Sequence, residues 1–389
     1  ALKFYETDLK LSEELYALDP SNVGFKNGLA SSYGRLGETH AELGQLENAL
    51  KFYEADLKLC EELYALYPSN VGFKNGLAIS YEKLGSTHAK LGQLENALKF
   101  YESYFQLSEE LYVLSPSNVS FKNGLAISYS KLGYTHAALG HLETALKFYE
   151  ERHKLGEELY ALDPLNVDFK NRLAISYSQL GSTRASLGHL ETALKFYEER
   201  HKLGEELYAL YPANVGFKNG LAISYSKLGE THAELRHLET ALKFYESYFQ
   251  LSEELYALDP SNVRFKNGLA IAYSKLGKTH ASLGHLETAL KFYEERHKLG
   301  EELYALDPLN VDFKNRLAIS YYKLGTIYKK LNKQRAIEHF RKAEQLWMEL
   351  SQTAPMYAEY QKNLRFIQRE LTQLSKFSFL NWLKSWFGG

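Results

Sequence analysis

The chain has a single cysteine, Cys60, in 389 residues, which excludes an internal disulfide framework. A reducing interior fits that usage, and a cytoplasmic location is the expectation. No apolar run approaches the ~18 residues of a membrane span, and no signal peptide is visible. Excess charge is missing as well. Lys and Arg number 46 against 48 Asp and Glu, a net charge of −2, so no global field favours nucleic acid or an acidic membrane. Tryptophan is held to three residues, Trp347, Trp382 and Trp386, all in the final stretch. What fills the chain instead is repetition.

The segment FKNG or FKNR starts at Phe25, Phe73, Phe121, Phe169, Phe217, Phe265 and Phe313. ALKFYE starts at Ala1, Ala49, Ala97, Ala145, Ala193, Ala241 and Ala289, and both series step by 48 residues without a slip. A fixed period of this size marks a solenoid, in which each repeat buries its apolar face only against its neighbours. Length alone suggests two or three domains; the period argues for one elongated array with a continuous core.

Each repeat reads as two helices. Proline-x-Asn punctuates the junctions, and Asn22, Asn70, Asn118 and their equivalents stand where an N-cap acceptor is needed. In the repeat from Asn70 to Pro116 a first helix is expected over 71–91, broken by Gly92-Gln93. A second is expected over 95–114, stopped by Pro116 because proline cannot continue a helix. In the first repeat Phe25, Leu29, Tyr33, Leu36, His40 and Leu43 share one face at about 100° per residue.

Tyr81-x2-Leu84-Gly85-x2-His88, then Ala97-x3-Tyr101, then a closing proline resembles the tetratricopeptide signature, aromatic-x2-Leu-Gly-x2-Tyr…Ala-x3-Phe…Pro. The resemblance covers roughly residues 1–355 and implies an all-α, right-handed superhelical solenoid of antiparallel helical hairpins. Two departures stand out. His or Arg replaces the second aromatic (His40, His88, His136, Arg184, His232, His280), and only Tyr328 restores it. The repeat is 48 residues rather than about 34, and the extra length is shared by both helices in steps of about two turns.

Residue 1 opens in the middle of a repeat, without Met, so the chain reads as a piece of something longer or as one that lacks a processed leader. Residues 1–20 are then the second helix of a truncated repeat, 21–354 seven hairpins, 355–374 a capping helix and 375–389 an aromatic amphipathic tail. Residues 145–181 and 289–325 differ only at Ser178/Tyr322 and Gln179/Lys323, which points to a duplicated three-repeat block. The last repeat lacks one residue in its turn, Leu331-Asn-Lys-Gln, and the helix after Pro355 is more polar, as an open solenoid end requires.

Candidate sites are few. Gly277-Lys278-Thr279 looks like the end of a phosphate loop, but Ala272 stands where its first glycine belongs and the stretch is mid-helix. The histidines recur at core-facing spacing, which reads as packing rather than as metal ligation. Glu61-Glu62 and its copies recur in every second helix, which fits a solvated face or a contact between repeats rather than acid/base work. Neither a catalytic residue, a metal nor a cofactor is expected.

Comparing repeats shows which positions differ: Gly34/Glu82/Ser130/Ser178/Ser226/Ser274/Tyr322, Glu38/Ser86/Tyr134/Ser182/Glu230/Lys278/Thr326 and Glu42/Lys90/Ala138/Ser186/Glu234/Ser282/Lys330. They lie four residues apart and centre about 180° from the apolar stripe. The tetratricopeptide resemblance implies that this first-helix face lines a concave groove holding peptides or partner helices. Constant residues share it: Asn75, Asn123, Asn171, Asn219 and Asn267, each four residues before an isoleucine such as Ile127, Ile175 or Ile223. An Asn in every repeat offers a donor and an acceptor to a ligand backbone; the alternative is that it braces the neighbouring repeat. In the tail, Trp382, Trp386 and Phe387 are candidate contacts for docking on the last hairpin, weak membrane contact or a partner.

The reading is a non-catalytic protein-interaction scaffold that binds a protein or peptide ligand in the groove. Two alternatives stand beside it: a self-assembling structural array, or the sensor part of a larger signalling enzyme.

Overall fold

A computed structural model of the chain describes residues 2–387, with side chains described as far as residue 374. Sixteen helices and no strand occur among the described residues. They are α1 (Leu2–Leu18), α2 (Val23–Glu42), α3 (Leu46–Leu66), α4 (Val71–Lys90), α5 (Leu94–Leu114), α6 (Val119–Ala138), α7 (Leu142–Leu162) and α8 (Val167–Ser186). There follow α9 (Leu190–Leu210), α10 (Val215–Glu234), α11 (Leu238–Leu258), α12 (Val263–Ser282), α13 (Leu286–Leu306), α14 (Val311–Leu331), α15 (Lys333–Thr353) and α16 (Ala358–Phe387). The contacts divide into two compact units, Ala1–Leu203 and Gly204–Gly389, each a stack of antiparallel hairpins of the tetratricopeptide type. No helix among the described residues is long and apolar enough to cross a membrane.

The helix starts follow from asparagine. Asn70 Oδ1 accepts from the Phe73 amide at 3.1 Å, and Asn118 takes both Ser120 and Phe121, at 2.9 and 3.2 Å. Each occupies amides that the first turn leaves without partners. The turn inside a hairpin is closed by glycine. Gly92 sits at φ 76, the Gln93 amide reaches the His88 carbonyl at 2.9 Å, and Gly92 itself donates to Ala89 at 3.0 Å. Only glycine enters this left-handed region without steric cost, and it recurs at Gly44, Gly140, Gly188 and Gly284. The equivalent turn between α10 and α11 carries Arg236 instead, at φ 65.

Hairpins close because Leu-Gly in the first helix lets an aromatic ring from the second lie on bare backbone. A Cβ at Gly133 would stand 2.6 Å from the Tyr149 ring, and one at Gly85 would stand 2.7 Å from Tyr101. Leu84 and Leu132, one residue before these glycines, are buried to 0% and 1% exposure. Burying one leucine of this kind stabilises by roughly 1.5–3 kcal/mol. The FKN lysine then staples hairpin and neighbour together. Lys74 Nζ meets Glu110 at 2.6 Å and lies 5.7 Å from the Tyr64 ring centroid of the preceding repeat. The same ion pair recurs as Lys26–Glu62 and Lys122–Glu158 in the first compact unit, and as Lys218–Glu254 and Lys266–Glu302 in the second. The other half of the constant EE pair serves the contact between repeats, where the Tyr81 hydroxyl donates to Glu61 at 2.9 Å.

The apolar stripe read from the sequence holds for Leu29, Leu36 and His40, but Leu43 is 57% exposed. Leu43 is the C-cap residue of α2, where the backbone leaves the helix and the 100° step no longer applies. At the other end Tyr360, Ile367 and Leu374, spaced by seven on α16, pack with Trp347 and Leu350 in one cluster.

Candidate partner-binding face

On the first helices the face away from the core is partly occupied. Asn75 and Asn219 are exposed, whereas Asn123, Asn171 and Asn267 are half-buried. Asn267 Oδ1 accepts a close hydrogen bond from the Arg316 guanidinium of the next repeat. Asn315 Oδ1 accepts from the Trp347 indole at 2.9 Å. Buried Asn123 Oδ1 has no hydrogen-bond partner among the described residues. The asparagines therefore do not form one uniform ladder.

The isoleucines beside them are more regular. Ile79 and Ile175 in the first compact unit are 48% and 44% exposed, and Ile223 and Ile271 in the second are 41% and 39%. Ile127 is half-buried, turned toward the cluster that holds Tyr104 and Leu77.

The variable positions split into three. The set ending at Lys330 is exposed in every repeat, but the set containing Glu82 and Ser130 is half-buried. There a lysine or glutamine of the next repeat reaches back: Lys131 to Glu82 at 2.7 Å, and Gln179 to Ser130 at 3.0 Å. The middle set is mixed. Glu38 meets Lys83 at 2.6 Å, and Glu230 meets Lys275 at 2.9 Å, while Ser182 accepts from the Tyr197 hydroxyl at 3.1 Å. Tyr134, 62% exposed, Lys278, Glu38 and Thr326 are the exposed members of this set, whereas Ser86, Ser182 and Glu230 are half-buried. Burial works against the charge on Glu82 and Glu230, yet Lys131 and Lys275 hold both carboxyls below the usual range. This polar ladder escaped the sequence reading, although an acid matched to a lysine 45 or 49 residues later was there to be seen.

The histidines lie on phenylalanine rings. His40, His88 and His136 stack on Phe52, Phe100 and Phe148 in the first compact unit, and His232 and His280 on Phe244 and Phe292 in the second, with centroids 5.1–5.5 Å apart. Lys278 and Thr279 lie inside α12, and the Thr279 hydroxyl is spent on the Lys275 carbonyl at 2.9 Å. Trp382, Trp386 and Phe387 lie outside the described side chains.

Three family models described as tetratricopeptide repeat match the chain, at residues 29–65, 78–111 and 320–346. Among solved structures the chain is similar to the apo form of RapI, 13% identical, covering 96% of this chain and 97% of that one with a TM-score of 0.57. It is also similar to a signal transduction ATPase with numerous domains, bearing a tetratricopeptide repeat sensor, from Pyrococcus horikoshii. There the identity is 15% and the TM-score 0.57, over 94% of this chain and 49% of that one. At these identities the likeness is one of fold. No curated protein matches the sequence.

Proposed function

We propose that this chain, a member of the tetratricopeptide-repeat family, is a non-catalytic scaffold that holds a peptide or partner segment against its first-helix face. The observation that carries the reading is the isoleucine left 39–48% exposed at one position in four repeats, on the helix face that also carries the variable residues. Exposed apolar side chains repeated in register on a polar surface fit a bound segment better than they fit water. The flanking Asn75 and Asn219 amides supply hydrogen bonds for its backbone.

A photo-crosslinking residue at position 175 tests this, with one at exposed Lys51 on a second helix as control. The reading expects a discrete adduct from native extract at 175 and none at 51, lost when Ile79 is changed to Asp. Equal capture at both positions overturns it.

A second reading makes the array the sensor part of a larger signalling enzyme, the role named for the repeats of the Pyrococcus protein, of which this chain spans 49%. The full-length reading frame decides that point. Self-association of the array is the third, and light scattering at rising concentration tests it.

A further inference from the structure

In the polar ladder three lysines find their carboxylate one repeat back, and Lys227 takes Glu230 of its own helix at 3.1 Å. Lys83 reaches Glu38 and Lys275 reaches Glu230, both 45 residues earlier, and Lys131 reaches Glu82, 49 residues earlier. For Lys323 the corresponding positions hold Lys278 and Ser274, a cation and a hydroxyl. Lys323 is half-buried, and no carboxylate among the described residues stands within ion-pair distance of it. Burial lowers its pKa, and the charges of Lys278, Arg296 and Lys275 lower it further.

Lys323 lines a cleft of about 530 Å³ between α14, α15 and α16. That volume lies within the ~300–1,000 Å³ typical of ligand sites. Tyr322, Trp347 and Phe366 supply an apolar lining, with Phe366 46% exposed. Lys362, Arg365 and Arg369 of α16 join Lys323, against the single carboxylate of Glu359. The tail of the chain, residues 375–389, carries lysines and no acidic residue, so it does not complement this lining.

We propose that this cleft binds an acidic peptide segment, a carboxylate meeting Lys323 and the α16 cations while an apolar side chain lies on Tyr322, Trp347 and Phe366. The assignment rests on the scaffold reading above and names the partner chemistry for one end of it. A bare anion would leave the aromatic lining wet, and an apolar segment would leave four cations uncompensated; a segment with both residue types satisfies the site.

The test is fluorescence anisotropy on the whole chain with the labelled hexapeptide DELFDE and its basic counterpart KKLFKK. Wild type is expected to bind DELFDE and not KKLFKK. Lys323→Gln is expected to weaken binding at least tenfold. Lys278→Glu restores a carboxylate at ladder spacing, and it is expected to weaken binding by a similar factor while raising the melting temperature. Binding that ignores the sign of the peptide, or is the same in wild type and both variants, overturns the proposal. So does displacement of DELFDE by an equal concentration of inorganic phosphate, or by phosphatidylserine vesicles. Crosslinking from position 175 lies in the other compact unit, so its outcome reports on the scaffold reading independently of this cleft.

Discussion

Tyr328 stacks on His339 with ring centroids 5.1 Å apart and planes 2° from parallel. This is the pairing of the earlier repeats with its partners exchanged: there the histidine is on the first helix and the phenylalanine on the second. Burial, with help from His297 and Lys342, pushes the His339 pKa down to about 4. His136, His153, His280 and His297 are shifted down too, burial being the largest cause in each.

Acid should therefore weaken the fold in a defined window. A histidine with a depressed folded-state pKa binds its proton more readily when unfolded, so its contribution is full above about 6.5 and is lost as pH falls toward about 4. The melting midpoint should drop between pH 7 and pH 4.5. His339→Phe should flatten that drop by an amount on the order of 1 kcal/mol, discounted for partial exposure. A midpoint constant over this range contradicts the assignment.

Arg236 offers a stabilising change. At φ 65 it pays the left-handed penalty that five glycines avoid in equivalent turns. Arg236→Gly should raise stability by about 0.5–1 kcal/mol, read from the urea midpoint, and Gly140→Ala should lower it.

The Gly–Tyr contact predicts the opposite sign. Gly133→Ala drives a methyl to within 2.6 Å of the Tyr149 ring and should destabilise by about 1–3 kcal/mol. Pairing it with Tyr149→Leu should recover part of the loss; a strictly additive double variant would mean that the two residues do not meet.

The asparagines should divide. Asn315→Ala leaves the Trp347 indole N–H unpaired in a buried cluster and should destabilise by about 1–3 kcal/mol. Asn75→Ala, at an exposed position, should change thermal melting little. Equal losses would assign both residues the same bracing role.

Much of this architecture was legible because it is local. Asn118 caps, Gly92 turns and Pro116 stops are each decided within a few residues, and the 48-residue period multiplied every such signal. What escaped lies between repeats. Glu82 looked like a freely varying surface residue because its partner, Lys131, is 49 positions away. The exchanged Tyr328–His339 pair was hidden by the one-residue deletion in the last turn, which shifts the second helix out of register with the other copies.

Cys60 lies under Ser80 and Asp56, with burial and then the Asp56 charge pushing its thiol pKa up to about 12. In the closed state it offers almost no thiolate to a modifying reagent. Labelling must therefore wait for α3 and α4 to separate, and its rate becomes a clock for that one opening event. Moving the same Cys–Ser–Asp arrangement to another repeat would give a second clock, and the ratio of the two rates would show whether neighbouring hairpins open together or singly.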